Sequence, residues 1–483
     1  MLGRMCCVSS CQNIYCIQNK LLKGNGEDMN QRIAIIGDNS IEYVRHLFSI
    51  WENGDCAVLI ERSIPPKSAV EMMESAHVVS CYIEEKMITS DYRDNGIKLI
   101  PYVSPQERVS RLPKKIMQMY QGSYSRNDAV IIFSSGTTGK EKGIILSHYA
   151  ISVNSDMVVE QLNATQSDSI CILRSFAHSS SLVCELIASI KANISIILCS
   201  QLMHPRVIWK TIKENEVTVL FVNPTLLSIL INEQYVQPND TQSLRVIYSS
   251  GAPLSKQLIN RARLCLKKVS IFNAYGLTEA GPRVCAQTNH YCSENSVGPP
   301  LSGVQVKVVT QMGRIAEVNE VGKIYVKTSS IFTSYIDGSN GNIKDGWLYT
   351  KDMGYISATG ELYICGRVDD IINSGGHKIN PNVVENIILQ SPQPIYDCAV
   401  IGEEDLEMGE QLICILYAEQ DINLQVVISF CNEMLASYEI PSKWVLWNEP
   451  FCRHNGKLNR KHLKEQYRKE KKIYEQNGRR NSY

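Results

Sequence analysis

The sequence predicts an α/β protein. Its large N-terminal domain holds doubly wound sheets plus a small β-barrel-like layer, and a small α+β domain follows. Three observations predict this. Apolar strand-like runs alternate with amphipathic helical stretches as far as Glu279, the pattern of parallel strands covered by helices on both faces. From about residue 296 to 365 the texture changes to short alternating strands with Gly turns ("VQVKVV", "GKIYVKT", "GELYICG"), which reads as an antiparallel or barrel-like layer. After "GRVDD" (366–370) comes a small α+β texture ending in a basic tail. A chain of 483 residues has room for about two to four structural units.

The elements follow in order. Residues 32–60 read as strand ("RIAII"), helix ("GDNSIEYVRHLFSIWENG") and strand ("CAVLI"). Asn39 or Ser40 can cap the helix and Gly54 can end it. "DAVIIF" is a buried strand that runs into "FSSGTTGKEKG" (133–143). The alternation recurs. "SLVCELIASIKA" is a helix before the strand "SIIL" (195–198), and "VTVLFVNP" precedes the helix "TLLSILINE". "LRVIYSSGAPL" leads into a further helix, and "VSIFNAYGLTE" follows it. The domain boundary is placed near Asp369, giving domains 1–368 and 369–483.

Lys+Arg is 49 and Asp+Glu is 49, so overall charge argues for no nucleic-acid partner. From Arg453 to the end there are 11 Lys/Arg and 3 Asp/Glu, a net of +8. Such a tail is ordinarily a solvated helix, and docking of an anionic partner is the other reading. The 17 cysteines show no regular framework. Cys171, Cys199 and Cys414 sit in apolar runs and read as small buried hydrophobes. Cys6, Cys7, Cys11 and Cys16 lack Cys-x-x-Cys spacing, which argues against zinc. The start lacks a signal peptide's apolar core, and no apolar run is long enough for a membrane span. A reducing cytoplasm is the expected location.

Four stretches carry chemistry. Backbone N–H groups, hydroxyls and ammonium groups in Ser134–Gly143 suit an anion nest. Gly136 and Gly139 are too close together for the common NTPase phosphate loop, and Lys140 is followed by Glu141. Composition alone also fits an exposed flexible turn. "NAYGLTE" (273–279) ends a strand, where doubly wound sheets bind ligands. There Tyr275 offers an aromatic face, Thr278 a hydroxyl and Glu279 a hard oxygen ligand for Mg²⁺, although the stretch also reads as an ordinary strand-to-helix loop. Asp352 in "GWLYTKDMGYI" and Arg367 in "GRVDDIINSGGHKINP" are together suited to a ribose; singly they read as a turn residue and a surface ion pair. Lys457 in "HNGKLNR" would alone be a solvated side chain.

Taken in order, these motifs resemble the adenylate-forming (AMP-binding) superfamily: acyl- and aryl-CoA ligases, luciferase-like enzymes and adenylation domains of nonribosomal peptide synthetases. The resemblance spans about residues 30 to 465. It implies that ATP and a carboxylate give acyl-AMP and pyrophosphate, and that a pantetheine thiol then takes the acyl group. It implies phosphate binding by Ser134, Ser135, Gly136, Thr137, Thr138, Gly139 and Lys142, with Thr278 on phosphate and Glu279 on Mg²⁺. Gly251, Ala252, Pro253, Asn273, Tyr275 and Gly276 would line the adenine, and Asp352 and Arg367 would take the ribose. Lys457 would reach the carboxylate and α-phosphate. Asp369 would be the hinge of a mobile C-terminal lid, and the face around Gly376 would serve thiol transfer. Glu141 stands where the family usually has Pro, and Lys351 where it usually has Gly. The approach to Lys457, "PFCRHNGK", lacks the usual Pro and Thr spacing.

In "SFAHSSSLVCEL" (175–186), Ala177 occupies the position where amino-acid-activating members carry Asp. An unpaired ammonium there would be costly, so an α-amino acid is disfavoured. His178 matches a His near the reacting carboxyl in acyl- and aryl-activating members; a core or capping His is the plain alternative. The expected acceptor is CoA. The alternatives are the phosphopantetheine of an acyl or peptidyl carrier protein, and a family member that binds nucleotide with impaired catalysis.

Overall fold

The computed structural model describes residues 30–476 except 93–95, 105–106, 121, 136–140, 201–202, 233, 419–420, 448, 452, 455–456 and 459. Nothing is described of the side chains of 135, 238, 239, 453, 454, 457 and 471–476.

Two seven-stranded sheets build the N-terminal domain. The first runs, in spatial order, Ser334–Tyr335, Glu141–Ser147, Asp128–Ser135, Cys56–Glu61, Arg32–Gly37, Ser80–Glu84 and Lys98–Tyr102. The second runs Arg283–Ala286, Ser270–Gly276, Val246–Ser249, Val219–Val222, Ser169–Ile172, Ser195–Cys199 and Val109–Arg111. Their centres are parallel, with Arg32 opposite Cys56 and Val219 opposite Val246. Antiparallel strands lie at one edge of the first sheet and at both edges of the second, a departure from uniform parallel winding, while the other edge strand of the first, Lys98–Tyr102, runs parallel to Ser80–Glu84. Chain length is the reason at two of these junctions. Residues 136–140 and 277–282 are too few for a crossover, which needs a dozen or more. The chain must therefore turn back on itself. For the same reason "NAYGLTE" leads into the antiparallel strand Arg283–Ala286 through a single tight turn, Thr278–Ala280, and not into a helix.

The main core lies between the two sheets and takes Ile35, Leu59, Ile132 and Ile144 from one and Ile170, Val219, Phe221 and Tyr248 from the other. Ser40 caps the helix Ile41–Glu52 through the Tyr43 N–H. Asn39 instead joins the sheets, its amide reaching Arg174 O at 2.8 Å. The stretch "SLVCELI" is helical as expected, but wound as a π-helix over Ser180–Ile187 before the α-helical turn Ala188–Lys191. A five-stranded antiparallel sheet follows, in which Trp347–Ile356 is central and pairs Leu362–Arg367.

The C-terminal domain is a five-stranded sheet. The helices Pro381–Ile388 and Leu424–Met434 cover one face through Val384, Ile388, Val427 and Cys431. The basic tail begins as the helix Arg460–Gln476, which buries Leu463 and Tyr467 on the other face. Two of its cations face acidic strands, Lys464 with Glu410 and Arg468 with Glu404. Cys171, Cys199 and Cys414 are fully buried free thiols, as expected. Among the described residues no helix is long and apolar enough to cross a membrane.

Candidate active site

The strands Asp128–Ser135 and Glu141–Ser147 pair antiparallel, with Ser134 opposite Lys142 and Ser135 opposite Glu141. The predicted residues Gly136, Thr137, Thr138 and Gly139 lie outside the described residues. The segment Phe332–Ile336 stitches this pair of strands to the Thr278–Ala280 turn. Phe332 N–H donates to Glu279 O at 2.9 Å, Thr333 N–H to Ile145 O at 2.9 Å, and Ile336 N–H to Gly143 O at 2.9 Å. Gly143 must be small, because a Cβ there would lie 2.7 Å from Ile336. The side chains repeat the connection. Tyr335 Oη donates to Glu279 Oε1 at 2.9 Å, and the Lys142 ammonium lies 5.3 Å from the centre of the Tyr335 ring. Burial, then the Glu279 charge, pushes the Tyr335 hydroxyl upward, so it remains a donor.

Thr278 reaches the other way. Its hydroxyl lies 2.8 Å from that of Ser179 at the start of the π-helix. Next to Ser179, His178 Nε2 lies 3.5 Å from Glu61 Oε2, and the His178 backbone carbonyl accepts from Ser181 and Leu182. The cap position of the π-helix is Ser179, and the His178 side chain faces Glu61. Gly276, the last residue of its strand, has Pro282 O where a Cβ would lie, at 1.9 Å. Only glycine allows the chain to fold back so tightly after the motif.

Asp352 and Arg367 are cross-strand neighbours, with Arg367 NH1 at 3.9 Å from Asp352 Oδ1. Tyr275 Oη donates to Asp352 Oδ2 and so ties the second sheet to the third. Burial, then Asp352, raises the Tyr275 hydroxyl well above its usual range. Gly251 has φ +93° with open space around it, at the end of the strand Val246–Ser249, and Ala252 and Pro253 follow it. Asn273 is not brought to this group. It is buried, with its amide on Ser296 O at 3.2 Å and its N–H on Gln287 Oε1 at 2.8 Å.

Asp369 accepts from Lys351 Nζ at 3.0 Å. Lys351 has φ +66°, a left-handed conformation that favours glycine. Gly376 is exposed at the tip of the hairpin Ile372–Ile379, with φ +81°. Lys457 lies in the short strand Lys457–Leu458, paired to Arg453–His454, and its side chain is outside the described atoms.

Three partners were not legible in the motifs. Tyr335 and Ser179 are remote in sequence from the residues they hold. Arg460, three residues after Lys457, is largely buried. It contacts both oxygens of Glu385, Val400 O at 3.1 Å and Asp370 at 3.6 Å. Burial opposes its charge, but Glu385 outweighs burial and keeps it protonated. Its short spacing from Lys457 is the signal that could have marked it.

Residues 19–336 match the family model described as AMP-binding enzyme. A 2-succinylbenzoate–CoA ligase of Bacillus cytotoxicus is 28% identical over 474 residues, covering 95% of this chain and 91% of that protein. Another from Bacillus mycoides is 28% identical over 446 residues, covering 90% and 88%. Among solved structures, ATP-bound MatB from Rhodopseudomonas palustris superposes with a TM-score of 0.80 at 20% identity, over 94% of this chain and 91% of that one. The o-succinylbenzoate CoA synthetase (MenE) of Bacillus subtilis, in complex with its acyl-adenylate OSB-AMP, gives 0.78 at 24% identity, over 93% and 90%. These superpositions bear out the expected fold class. With the family model covering well over half of its length, the chain belongs to the AMP-binding enzyme family.

Proposed function

We propose that the chain joins a carboxylic acid to the thiol of CoA at the expense of ATP. It is an AMP-forming acid–thiol ligase. A carboxylate oxygen attacks the α-phosphorus, the bond to pyrophosphate breaks, and acyl-AMP remains. The thiol sulfur then attacks the acyl carbon, AMP leaves, and the thiol proton passes to solvent. The observation that carries this reading is the join through Tyr335. It sets Lys142 and Glu279 around one space, while Thr278, the neighbour of Glu279, touches Ser179 beside the acid-side His178.

In this reading Ser134, Ser135, residues 136–139, Lys142 and Thr278 hold the phosphates. Gly251, Ala252, Pro253, Tyr275 and Gly276 line the adenine, and Asp352 and Arg367 take the ribose. Glu279 supplies one carboxylate for Mg²⁺. Among the described residues no cluster of three His, Cys, Asp or Glu side chains could hold a metal, which fits a cation carried mainly by nucleotide phosphates. When bound, Mg²⁺ neutralises charge on the departing pyrophosphate. Lys457 offsets the charge where the carboxylate meets the α-phosphate, and Arg460 holds its strand in place. Residues 369–483 act as a lid turning about Asp369, so that the face of Gly376 serves thiol transfer. The described cysteines are free thiols, in keeping with the reducing cytoplasm we propose.

The acid carries no α-ammonium, because Ala177 supplies no charge to meet one. The curated relatives place 2-succinylbenzoate at the head of a substrate panel, beside benzoate, short acyl acids and α-amino acids. Pyrophosphate–ATP exchange across that panel is expected to be Mg²⁺-dependent, to occur with at least one acid and to fail with amino acids. The loaded enzyme is then expected to discharge to CoA. Absence of exchange with every acid would overturn the reading in favour of a nucleotide-binding member without catalysis. Discharge only to a carrier protein would overturn the choice of acceptor.

A further inference from the structure

We propose that Arg283 binds a second anionic group, a carboxylate at the far end of the substrate acid, so that the enzyme is selective for dicarboxylic acids. This rests on the acid-activating reading above and concerns which acid is activated. Arg283 opens the edge strand that follows the Thr278–Glu279 turn. Its backbone is clamped on both sides by one buried side chain: Arg283 N–H donates to Asn154 Oδ1 at 2.9 Å, and Asn154 Nδ2 donates to Arg283 O at 2.9 Å. The guanidinium is then sent inward. Arg283 is 3% exposed, and among the described residues neither NH1 nor NH2 has a hydrogen-bond partner. The Phe221 ring lies 5.6 Å from the guanidinium carbon. Phe221 stacks on Tyr248 at 5.5 Å, and the two lie at the C-terminal ends of adjacent parallel strands. In a doubly wound sheet that end is where substrate sits.

The local charge is unbalanced. The nearby carboxylate is Glu185, fully buried, whose Oε1 is taken by Arg174 at 2.6 and 3.1 Å. Glu185 and Arg283 attract each other at long range, but they form no ion pair among the described residues. A buried guanidinium, Arg283, and a largely buried one, Arg174, are therefore set against one carboxylate. An isolated buried cation is costly unless an anion joins it. The flat guanidinium fork matches a carboxylate in bidentate fashion. The same excess of positive charge disfavours an ammonium here. An apolar, aromatic wall with one unpaired cation at its end suits a substrate with an apolar middle and an anionic tail.

The test pairs each diacid, from malonate to adipate, with its half methyl ester, which keeps the reacting carboxyl and removes the distal charge. Wild-type enzyme, Arg283→Met and Arg283→Lys are compared in pyrophosphate exchange. The melting shift produced by each acid alone gives a readout that needs no turnover. The wild type is expected to favour the best diacid over its half ester. Arg283→Met should lose about 100-fold in kcat/KM on the diacid and little on the half ester. Arg283→Lys should retain part of the preference. The diacid's melting shift should vanish in Arg283→Met. If the wild type uses half ester and diacid equally, or if Arg283→Met loses both equally, Arg283 is a core cation and the assignment falls. Exchange with monoacids alone sinks this assignment and leaves the ligase reading intact. Exchange with no acid sinks the ligase reading, and the melting shifts then decide Arg283 by themselves. Should Arg283→Met fail to fold, the Arg283→Lys comparison decides in the same way.

Discussion

The hydroxyl of Tyr335 donates to Glu279 at 2.9 Å, while its ring lies 5.3 Å from the Lys142 ammonium. One side chain thus orients the proposed metal carboxylate and packs against the proposed phosphate lysine, two separable jobs. Tyr335→Phe removes the first and keeps the second. A hydrogen bond to a charged carboxylate is worth about 1.5 kcal/mol or more, or roughly tenfold in rate. Tyr335→Phe is therefore expected to lower pyrophosphate exchange about tenfold and raise the Mg²⁺ concentration needed for half-maximal rate. Thioester formation from supplied acyl-AMP should be unchanged. Tyr335→Leu, which also removes the ring, should be worse in exchange. Equal loss in both half-reactions would show that Tyr335 only supports the fold. No motif points to Tyr335, because the pair is 56 residues apart. The motif residues themselves could be read singly, since each has a donor or acceptor type suited to a nucleotide part. What joins them belongs to tertiary structure.

At the scale of elements, the helix Ile41–Glu52 shows where sequence reading succeeds and where it stops. Its cap, its apolar stripe and the following Gly54 are local signals, and the structure carries all three. The antiparallel edges were not read, although the short connections before Glu141 and Arg283 required them. The fate of a polar residue on the buried stripe was also hidden. His46 is buried and stacks on Tyr82 of the strand Ser80–Glu84, with ring centres 4.2 Å apart. Burial, and secondarily Arg45, lowers its pKa from 6.5 to about 4. The sign follows from which state binds the proton. Between pH 6.5 and about 4 the unfolded chain takes a proton that the folded chain refuses, so stability is full above 6.5 and falls as pH drops towards 4. A shift of this size corresponds to about 3 kcal/mol. His46→Phe keeps a stacking ring without the titration. Chemical denaturation between pH 4 and 7 should show a flatter acid limb for His46→Phe than for the wild type by about that amount. Identical slopes would mean that His46 takes up its proton at the same pH in the folded and the unfolded chain.

With the domain boundary proposed at Asp369, the Lys351–Asp369 pair is one of the contacts that cross it, beside Gln257 on Leu389 O and Asn380 on Cys365 O, and it bears on how the whole molecule would work. Lys351 adopts φ +66° in place of the glycine usual in the family, a backbone strain of roughly 1 kcal/mol. Its ammonium holds Asp369 at 3.0 Å, with both side chains 35% exposed, so the ion pair contributes only about 0–1 kcal/mol. The strain and the pair nearly cancel, and Lys351→Gly is expected to melt within a degree or two of the wild type. Kinetics should respond differently. In the lid movement proposed above, the bridge belongs to one orientation, and a turn about Asp369 would break it. The partners of Arg460, Glu385, Val400 and Asp370, all lie beyond Asp369, so in the proposed movement Arg460 and the strand of Lys457 would turn as one body. Removing the bridge destabilises one orientation relative to the other and shifts their populations. Lys351→Gly should therefore change the two half-reactions in opposite directions, by up to about fivefold each. Pyrophosphate exchange and single-turnover thioester formation from supplied acyl-AMP measure them separately. Lys351→Ala, which removes the pair but keeps the strain, should show the same opposed changes with a lower melting temperature. Parallel changes, or none, would remove Asp369 from the hinge role.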